Sequence, residues 1–376
     1  MLPQPPLWLI LIAFVAALGP LVFFHELGHY LVARWFKIPA EVFSIGFGRE
    51  IAGWTDRRGT RWKIGWLPLG GYVRFVGDMS PASNPAELES IPIEHRDTAF
   101  QVRPVWQRFL VVLAGPVANF LLAILIFAIF FALLGIPRTP NLVGSVRPGS
   151  TAAQIGLQPG DRIVEIDGQR VSRFEDIQRI VTMRPDETVT VAIDRSGLRL
   201  SSPARLGVAM ERDRFGQTYR IGMLGVLGEK PVVEAVPALE IVPEAVRYTW
   251  LLTRSMALGL GQVISGRRGT EDVGGPIKIA QIAGQQASLG LLPFVQLLAL
   301  FSINLGFINL LPVPMLDGGH LLFYAAEAVR RRPVSARAMD WAFRGGLAVI
   351  LALVLFTTVN DLSSVGLWDR LQRLIG

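Results

Sequence analysis

Residues 7–24, LWLILIAFVAALGPLVFF, carry no charge and run directly into His25-Glu26-Leu27-Gly28-His29. The first stretch is apolar enough for a bilayer core; the second sets three ionisable side chains at its end, where such groups are expensive and by default functional. On a helix of about 3.6 residues per turn, His25 and His29 differ by roughly 40° around the axis, so both imidazoles share a face with Glu26 beside it. Two neutral imidazoles so spaced can hold one Zn2+ and leave the carboxylate free to take a proton from water at the metal. The plainer reading is a histidine closing a helix end, with the spacing an accident. It fits poorly in a chain with only 4 His, two of which bracket a Glu.

Composition suits membrane helices with soluble parts attached. Of 376 residues 51% are hydrophobic, and the mean hydropathy is +0.41. That is too apolar for an ordinary soluble enzyme and too charged in places for a bare helical bundle. The lack of Cys excludes disulfides, Cys-ligated zinc and thiol nucleophiles, so a metal must be held by His and carboxylate. Several cations behind the net charge of +7 cluster beside apolar spans, as the positive-inside rule expects, and no nucleic-acid partner is expected. Residues 1–6 hold no Lys or Arg, so a cleaved signal peptide is not expected.

Four segments, 7–35, 105–134, 289–311 and 343–359, are long and apolar enough to span a core of about 30 Å. Residues 37–104 are rich in Arg, Gly and Trp, and Arg330, Arg331, Arg332, Arg337 and Arg344 lie near the join of the last two spans. Both loops therefore read as cytoplasmic. From Trp8 to His25 is about 26 Å of helix, which brings the paired histidines near the cytoplasmic edge of the hydrocarbon. Residues 141–229 differ in kind: VGSVR (143–147), RIVEI (162–166) and TVTVAI (188–193), divided by Pro-Gly and Asp-Gly turns, read as a small β-rich globule. Residues 243–264 mix Arg247, Tyr248, Trp250 and Arg254 with apolar side chains and read as an interfacial helix. The expected organisation is a first transmembrane helix (1–36), a cytoplasmic membrane-associated β insert (37–104) and a second transmembrane helix (105–135). An extracytoplasmic globule (141–229), a connector with the interfacial helix (230–288), and the third and fourth transmembrane helices (289–376) follow.

A catalytic zinc usually takes three protein ligands plus water, so a third remains to be found. Residues 309–320, NLLPVPMLDGGH, put Asp317 at the end of the third span, at the depth of the two imidazoles if that span runs inward. Pro312 and Pro314 break the helix, and an aspartate on irregular backbone can turn toward an ion. The alternative is an aspartate that caps a turn before residues 321–329.

These motifs carry a resemblance. HELGH ending a first span, the late segment with Asn309, Pro312, Pro314, Leu316, Asp317 and Gly318, RFLVVLAGPVANF (108–120) and GGPI (274–277) together resemble the site-2 protease family of intramembrane zinc metalloproteases, in its regulator-of-sigma-E branch. Within the globule, PGSTAA (148–153) and GLQPGDRIVEIDG (156–168) resemble the PDZ signature, present once where some relatives carry it in tandem. The resemblance implies a polytopic α-helical membrane protein with about four transmembrane helices, a membrane-associated β-hairpin or sheet and one PDZ-like α/β domain. It also implies one Zn2+ per chain held by His25, His29 and Asp317, with Glu26 as general base. The place implied is the bacterial inner membrane, with the active site near the cytoplasmic side. The substrates implied are single-span membrane proteins, such as anti-sigma factors or remnant signal peptides, admitted past the PDZ-like domain after an earlier cut has shed their bulk.

A helical substrate must unwind before it is cut, and bare backbone in lipid costs several kcal/mol per unmet group. Asn304 and Asn309 could hydrogen-bond such a substrate, or serve as helix–helix contacts. Tyr72, Val73, Arg74 and Phe75 fall in an expected strand whose edge could add the substrate, or in a structural hairpin with Trp54, Trp62 and Trp66 as interface anchors. Ile221, Gly222, Met223 and Leu224 resemble the loop that lines PDZ peptide grooves, which implies a peptide or protein ligand there. His320 could approach the metal or pack at a helix start, and His95 has no assigned role. Two readings of other classes compete: an inactive zinc-binding scaffold that holds partners through the PDZ module, and a metal transporter. Glu26 argues against the first, since a structural zinc needs no base; the lack of internal symmetry argues against the second.

Overall fold

A computed structural model describes residues 5–77, 97–212, 218–265 and 275–364. Its longer helices are α1 (Leu7–Trp35), α2 (Val105–Leu134), α3 (Phe174–Thr182), α4 (Ala238–Ile264), α5 (Pro276–Ser288), α6 (Leu291–Asn309), α7 (Asp317–Arg330) and α8 (Ala336–Ser364). Among the described residues, four helical stretches are long and apolar enough to cross a membrane: Leu7–Trp35, Val105–Leu134, Leu291–Asn309 and Arg337–Val359. They lie on the four expected segments, and their outer faces leave Leu11, Ile12, Leu125, Leu351 and Leu355 exposed. Lipid, not water, is the solvent that suits such faces. The chain is a multi-pass membrane protein, and α4, with its Glu and Arg residues, is not among the four. His95 and Gly274 lie outside the described residues.

The chain divides into two compact units: Met1–Ala128, Val242–Leu258 and Thr270–Gly376 in one, Ile129–Ile241 and Gly259–Gly269 in the other. In the first, the buried residues Ala13, Ala17, Leu21, His25 and His29 recur every four along α1, a buried stripe that winds slowly around the helix from small packing residues to the two imidazoles. Gly28 lets α2 approach: a Cβ there would lie 2.8 Å from the Ala118 side chain and nearer still to the Ala114 carbonyl. Small residues at the contact are how apolar helices pack where lipid gives no hydrophobic drive. Tyr30, Ile38, Phe43, Phe75, Phe100, Val111 and Tyr324 fill one core cluster that joins α1, α2, α7 and a β-sheet. Arg108 of α2 donates to Glu327 of α7 at 2.7 Å and stands 5.0 Å from the Tyr324 ring. The buried carboxylate of Asp361 on α8 accepts from Gly275 N at 3.0 Å and Lys278 N at 2.9 Å, satisfying the open amides at the start of α5.

That sheet is made by two long strands, β1 (Ala40–Thr55) and β2 (Arg61–Phe75), paired antiparallel. Val42 faces both Arg74 and Arg61, and Trp54 faces Trp62, so bends turn two strands into four segments. Their spatial order is 71–75, 40–45, 61–65, 50–55. Gly46 (φ +86°) and Gly48 (φ +82°) make the bend in β1, a left-handed conformation that side chains resist. Residues 71–75 are thereby left as an outer edge.

In the second unit, β3 (Ile136–Arg138) pairs with β12 (Val232–Glu234), and β4 (Val143–Val146) pairs with β11 (Val226–Gly228). The strands β5 (Arg162–Ile166), β6 (Gln169–Arg170), β7 (Thr188–Arg195) and β8 (Leu198–Arg205) form an antiparallel sheet in the order β6-β5-β7-β8. Phe174, Ile177, Ile180 and Val181 line one stripe of α3 and bury against Ile163, Ile166, Val189 and Val191 of the sheet. A further hairpin joins β9 (Gly207–Arg212) and β10 (Thr218–Met223). Asp161 is buried beneath a two-pronged contact from Arg195 at 2.7 Å and accepts from Gln158 N at 2.7 Å. The guanidinium bond, aided by that amide, holds the carboxyl below the ordinary aspartate range against the opposing effect of burial.

One local expectation needs correcting. Asp317 does not sit on irregular backbone: it is the first residue of α7, after Leu316 as N-cap. The prolines fall in the break before it, where Met315 takes φ +82°, and a carboxylate in the first helical turn is favoured by the amide dipoles there.

Candidate metal centre

Two elements far apart in sequence build the site. From α1 come His25, Glu26 and His29, each 8% exposed; from the start of α7 comes Asp317. The Nε2 atoms of the two histidines are 3.3 Å apart, and Asp317 Oδ2 lies 3.1 Å from the Nε2 of His25 and 3.5 Å from that of His29. One ligand-capable atom from each of the three lies within 4.8 Å of the others. Asp317 Oδ2 is buried and makes no hydrogen bond. A buried carboxylate oxygen with no donor, facing two imidazole nitrogens, is costly unless something positive sits among them.

Helix α2 supplies the floor. Val111, Gly115 and Asn119 recur every four residues and so share a face. The Val111 carbonyl lies 2.8 Å from His29 Nδ1; a carbonyl only accepts, so Nδ1 carries the proton and Nε2 presents a lone pair. Asn119, fully buried, places its amide 3.1 Å from His25 Nδ1. Between them Gly115 leaves a hollow: a Cβ there would stand 2.9 Å from His25 Cε1 and collide with His29 Nε2. The residues present fit a small cation, with nitrogen and oxygen donors, a hollow that one methyl would fill, and an orphaned carboxylate oxygen.

Glu26 is not one of the three. Its carboxylate takes a hydrogen bond from the backbone of Val73, on the outer edge of the sheet. Gly71 permits that approach, since a Cβ there would lie 2.6 Å from Val22 Cγ1 and 3.2 Å from Glu26 Cγ. A cavity of about 480 Å³ holds Glu26 and the three clustered residues, and Tyr72, Val73, Phe75, Asn309 and His320 line it as well. Arg74 points elsewhere and pairs with Glu41 at 2.9 Å. Asn304 is not among the lining residues; five positions from Asn309 is about 140° around a helix. The His320 ring stands 4.9 Å from Phe343. In the second unit, Gly222, Met223 and Leu224 line a cavity of about 190 Å³ beside α3, and Ile221 does not. Sequence reading assigned no role to Val111, Gly115 or Asn119. The available signal was a polar side chain inside an apolar span, with Gly-Pro one turn before it.

Comparisons with known proteins agree in kind. The family model described as Peptidase family M50 matches residues 13–353. "Putative zinc metalloprotease Atu1380" of Agrobacterium fabrum is 43% identical over 362 residues, covering 94% of this chain and 96% of that one. "Metalloprotease MmpA" of Caulobacter vibrioides is 37% identical over 381 residues, with 94% and 96% covered. Among solved structures, the PDZ domain of the SdrC-like protein from Listeria innocua matches at 22% identity and a TM-score of 0.21, over 25% of this chain and 99% of that one. A family match over most of the chain, together with relatives at this identity over nearly their full lengths, shows that the chain belongs to peptidase family M50, the site-2 proteases.

Proposed function

We propose that the chain is an intramembrane zinc metalloprotease that hydrolyses peptide bonds within the transmembrane segments of single-span membrane proteins. Anti-sigma factors and remnant signal peptides are the substrate types, and regulated intramembrane proteolysis is the setting. The observation that carries this reading is the convergence of His25 Nε2, His29 Nε2 and Asp317 Oδ2 beside a carboxylate that stays out of the trio. Two imidazoles and one carboxylate form a donor set suited to a catalytic zinc, which keeps a position open. Zn2+ held by these three residues would supply Lewis-acid chemistry, polarising the scissile carbonyl and acidifying water.

The rest falls to the protein. Glu26 takes a proton from the water whose oxygen attacks the carbonyl carbon, and it returns that proton to the amine as the C–N bond breaks. The water oxygen ends in the new carboxyl group, and no covalent enzyme intermediate forms. The outer edge at Tyr72, Val73 and Phe75 faces the cavity and suits an unwound substrate added as a further strand. Asn309 suits its polar backbone, whereas Asn304 suits helix packing. The loops rich in Lys and Arg favour a metal centre near the cytoplasmic side of a bacterial inner membrane, with the sheet on that side and residues 141–229 outside as a PDZ-like domain. Gly222, Met223 and Leu224 would line a peptide groove there, and α4 would lie in the interface.

Reconstitution tests this reading. In liposomes with a model single-span substrate, the wild type should cleave. Glu26→Gln should retain zinc and cleave at least about 100-fold more slowly, as for a lost general base. Equal cleavage by both would remove the mechanism. Zinc binding without cleavage by the wild type would favour the inactive scaffold.

A further inference from the structure

The His25 ring has two nitrogens, and only one can face a metal. His29 has its proton fixed by the Val111 carbonyl, but the partner of His25 Nδ1 is an amide, which can donate or accept. If the Asn119 nitrogen donated to Nδ1, the ring proton would sit on Nε2, pointing among the three clustered atoms. Asp317 Oδ2, at 3.1 Å, makes no hydrogen bond there. The other end of the same amide, Asn119 Oδ1, is buried and has no partner either. A half-turn about the last side-chain torsion brings that oxygen to Nδ1 as an acceptor. His25 then mirrors His29: each far nitrogen donates to an acceptor on α2, and each Nε2 offers a lone pair. The Asn119 backbone is also held in place, since its main-chain carbonyl accepts from the Ser302 hydroxyl of α6 at 2.7 Å, and both residues are fully buried.

We propose that Asn119 is a positioning residue of the metal centre: its side-chain oxygen accepts the Nδ1–H of His25 and so fixes the ring orientation and tautomer that leave Nε2 free for zinc. This rests on the metal-centre reading above. Outer partners of metal-bound histidines contribute through orientation and ligand basicity, and their loss costs about 10–100-fold in metal affinity.

The test measures zinc affinity of the detergent-solubilised full-length chain by competition with a chromogenic chelator, alongside thermal unfolding. Asn119→Leu, close in size but without an acceptor, should bind zinc about 10–100-fold more weakly. Asn119→Asp, which when ionised can only accept, should stay within about threefold of the wild type. Wild-type affinity in Asn119→Leu would overturn the inference. So would an equal loss in Asn119→Asp with folding intact, because that outcome marks a donating amide or a packing role. Should the leucine variant fail to fold, Asn119→Asp decides alone: retention supports an accepting oxygen, and loss refutes it. If His25→Ala binds zinc as tightly as the wild type, the metal-centre reading itself fails and takes this inference with it; if only His25→Ala loses zinc, the inference alone fails.

Discussion

Gly115→Ala separates the metal centre from the fold with a single methyl group. Alanine forms helix more readily than glycine, by about 0.8–1.0 kcal/mol in soluble hosts, so α2 should form as before. The added Cβ would stand 2.9 Å from His25 Cε1. Carbon contacts settle at about 3.5–4.0 Å, so that ring must retreat by at least about 0.6 Å, and the closer His29 ring by more. A constellation of ligands tolerates errors of only about 0.5 Å. Displacing two of three ligands beyond that limit should weaken zinc binding by at least about 100-fold, the upper end of what losing an outer partner costs. The assay is zinc content and chelator competition on the purified variant, with thermal unfolding of the metal-stripped protein as control. Wild-type affinity with unchanged stability would refute the placement of α2 against the two rings. Loss of zinc with the fold intact is the expected result.

Other outcomes follow from the same contacts. Val73→Pro removes the amide that bonds Glu26, at an edge position where the sheet loses no ladder bond; cleavage should fall roughly 10–100-fold, the worth of a hydrogen bond to a charged group, with zinc content unchanged. Breaking the partly buried Arg108–Glu327 pair with Arg108→Gln should cost roughly 2 kcal/mol, between the values for exposed and buried pairs. The double variant with Glu327→Gln should recover part of it, as read by thermal unfolding. The lowered carboxyl of Asp161 stabilises the β-rich unit at pH values above its unfolded value of about 3.9, and that contribution fades as pH falls through the lower folded value. Hydrogen exchange of amides near residues 158–163 should therefore show Asp161→Asn less protected than wild type at pH 7, with the two converging in strong acid.

Much of this was legible in the sequence because the bilayer simplifies the problem. Long apolar runs must be helices when no water is present to satisfy backbone groups, and the four spans fell where hydropathy put them. The His25/His29 spacing was readable for the same reason, since a helix converts four residues into one face. Asp317 could be matched only by depth, and the nearness of a helix start to the imidazoles is tertiary. The floor made by Val111, Gly115 and Asn119 was out of reach: which face of α2 meets α1 depends on close packing at Gly28, and a uniformly apolar helix does not announce a face. The four-segment sheet was hidden too, because it depends on bends at Gly46 and Gly48 in β1 and at Gly70 (φ +114°) in β2 that make each strand serve twice. Asn304 and Asn309 were separable in principle, as five residues on a helix do not share a side.

The central claim is that two distant segments cage one zinc ion, and X-ray absorption at the zinc edge with metal content on the purified chain tests it most directly. The account predicts one zinc per chain, bound by two imidazole nitrogens and a carboxylate oxygen, with the ion lost or its shell altered in His25→Ala, His29→Ala and Asp317→Ala alike. A wild-type shell that survives unchanged in Asp317→Ala would contradict it.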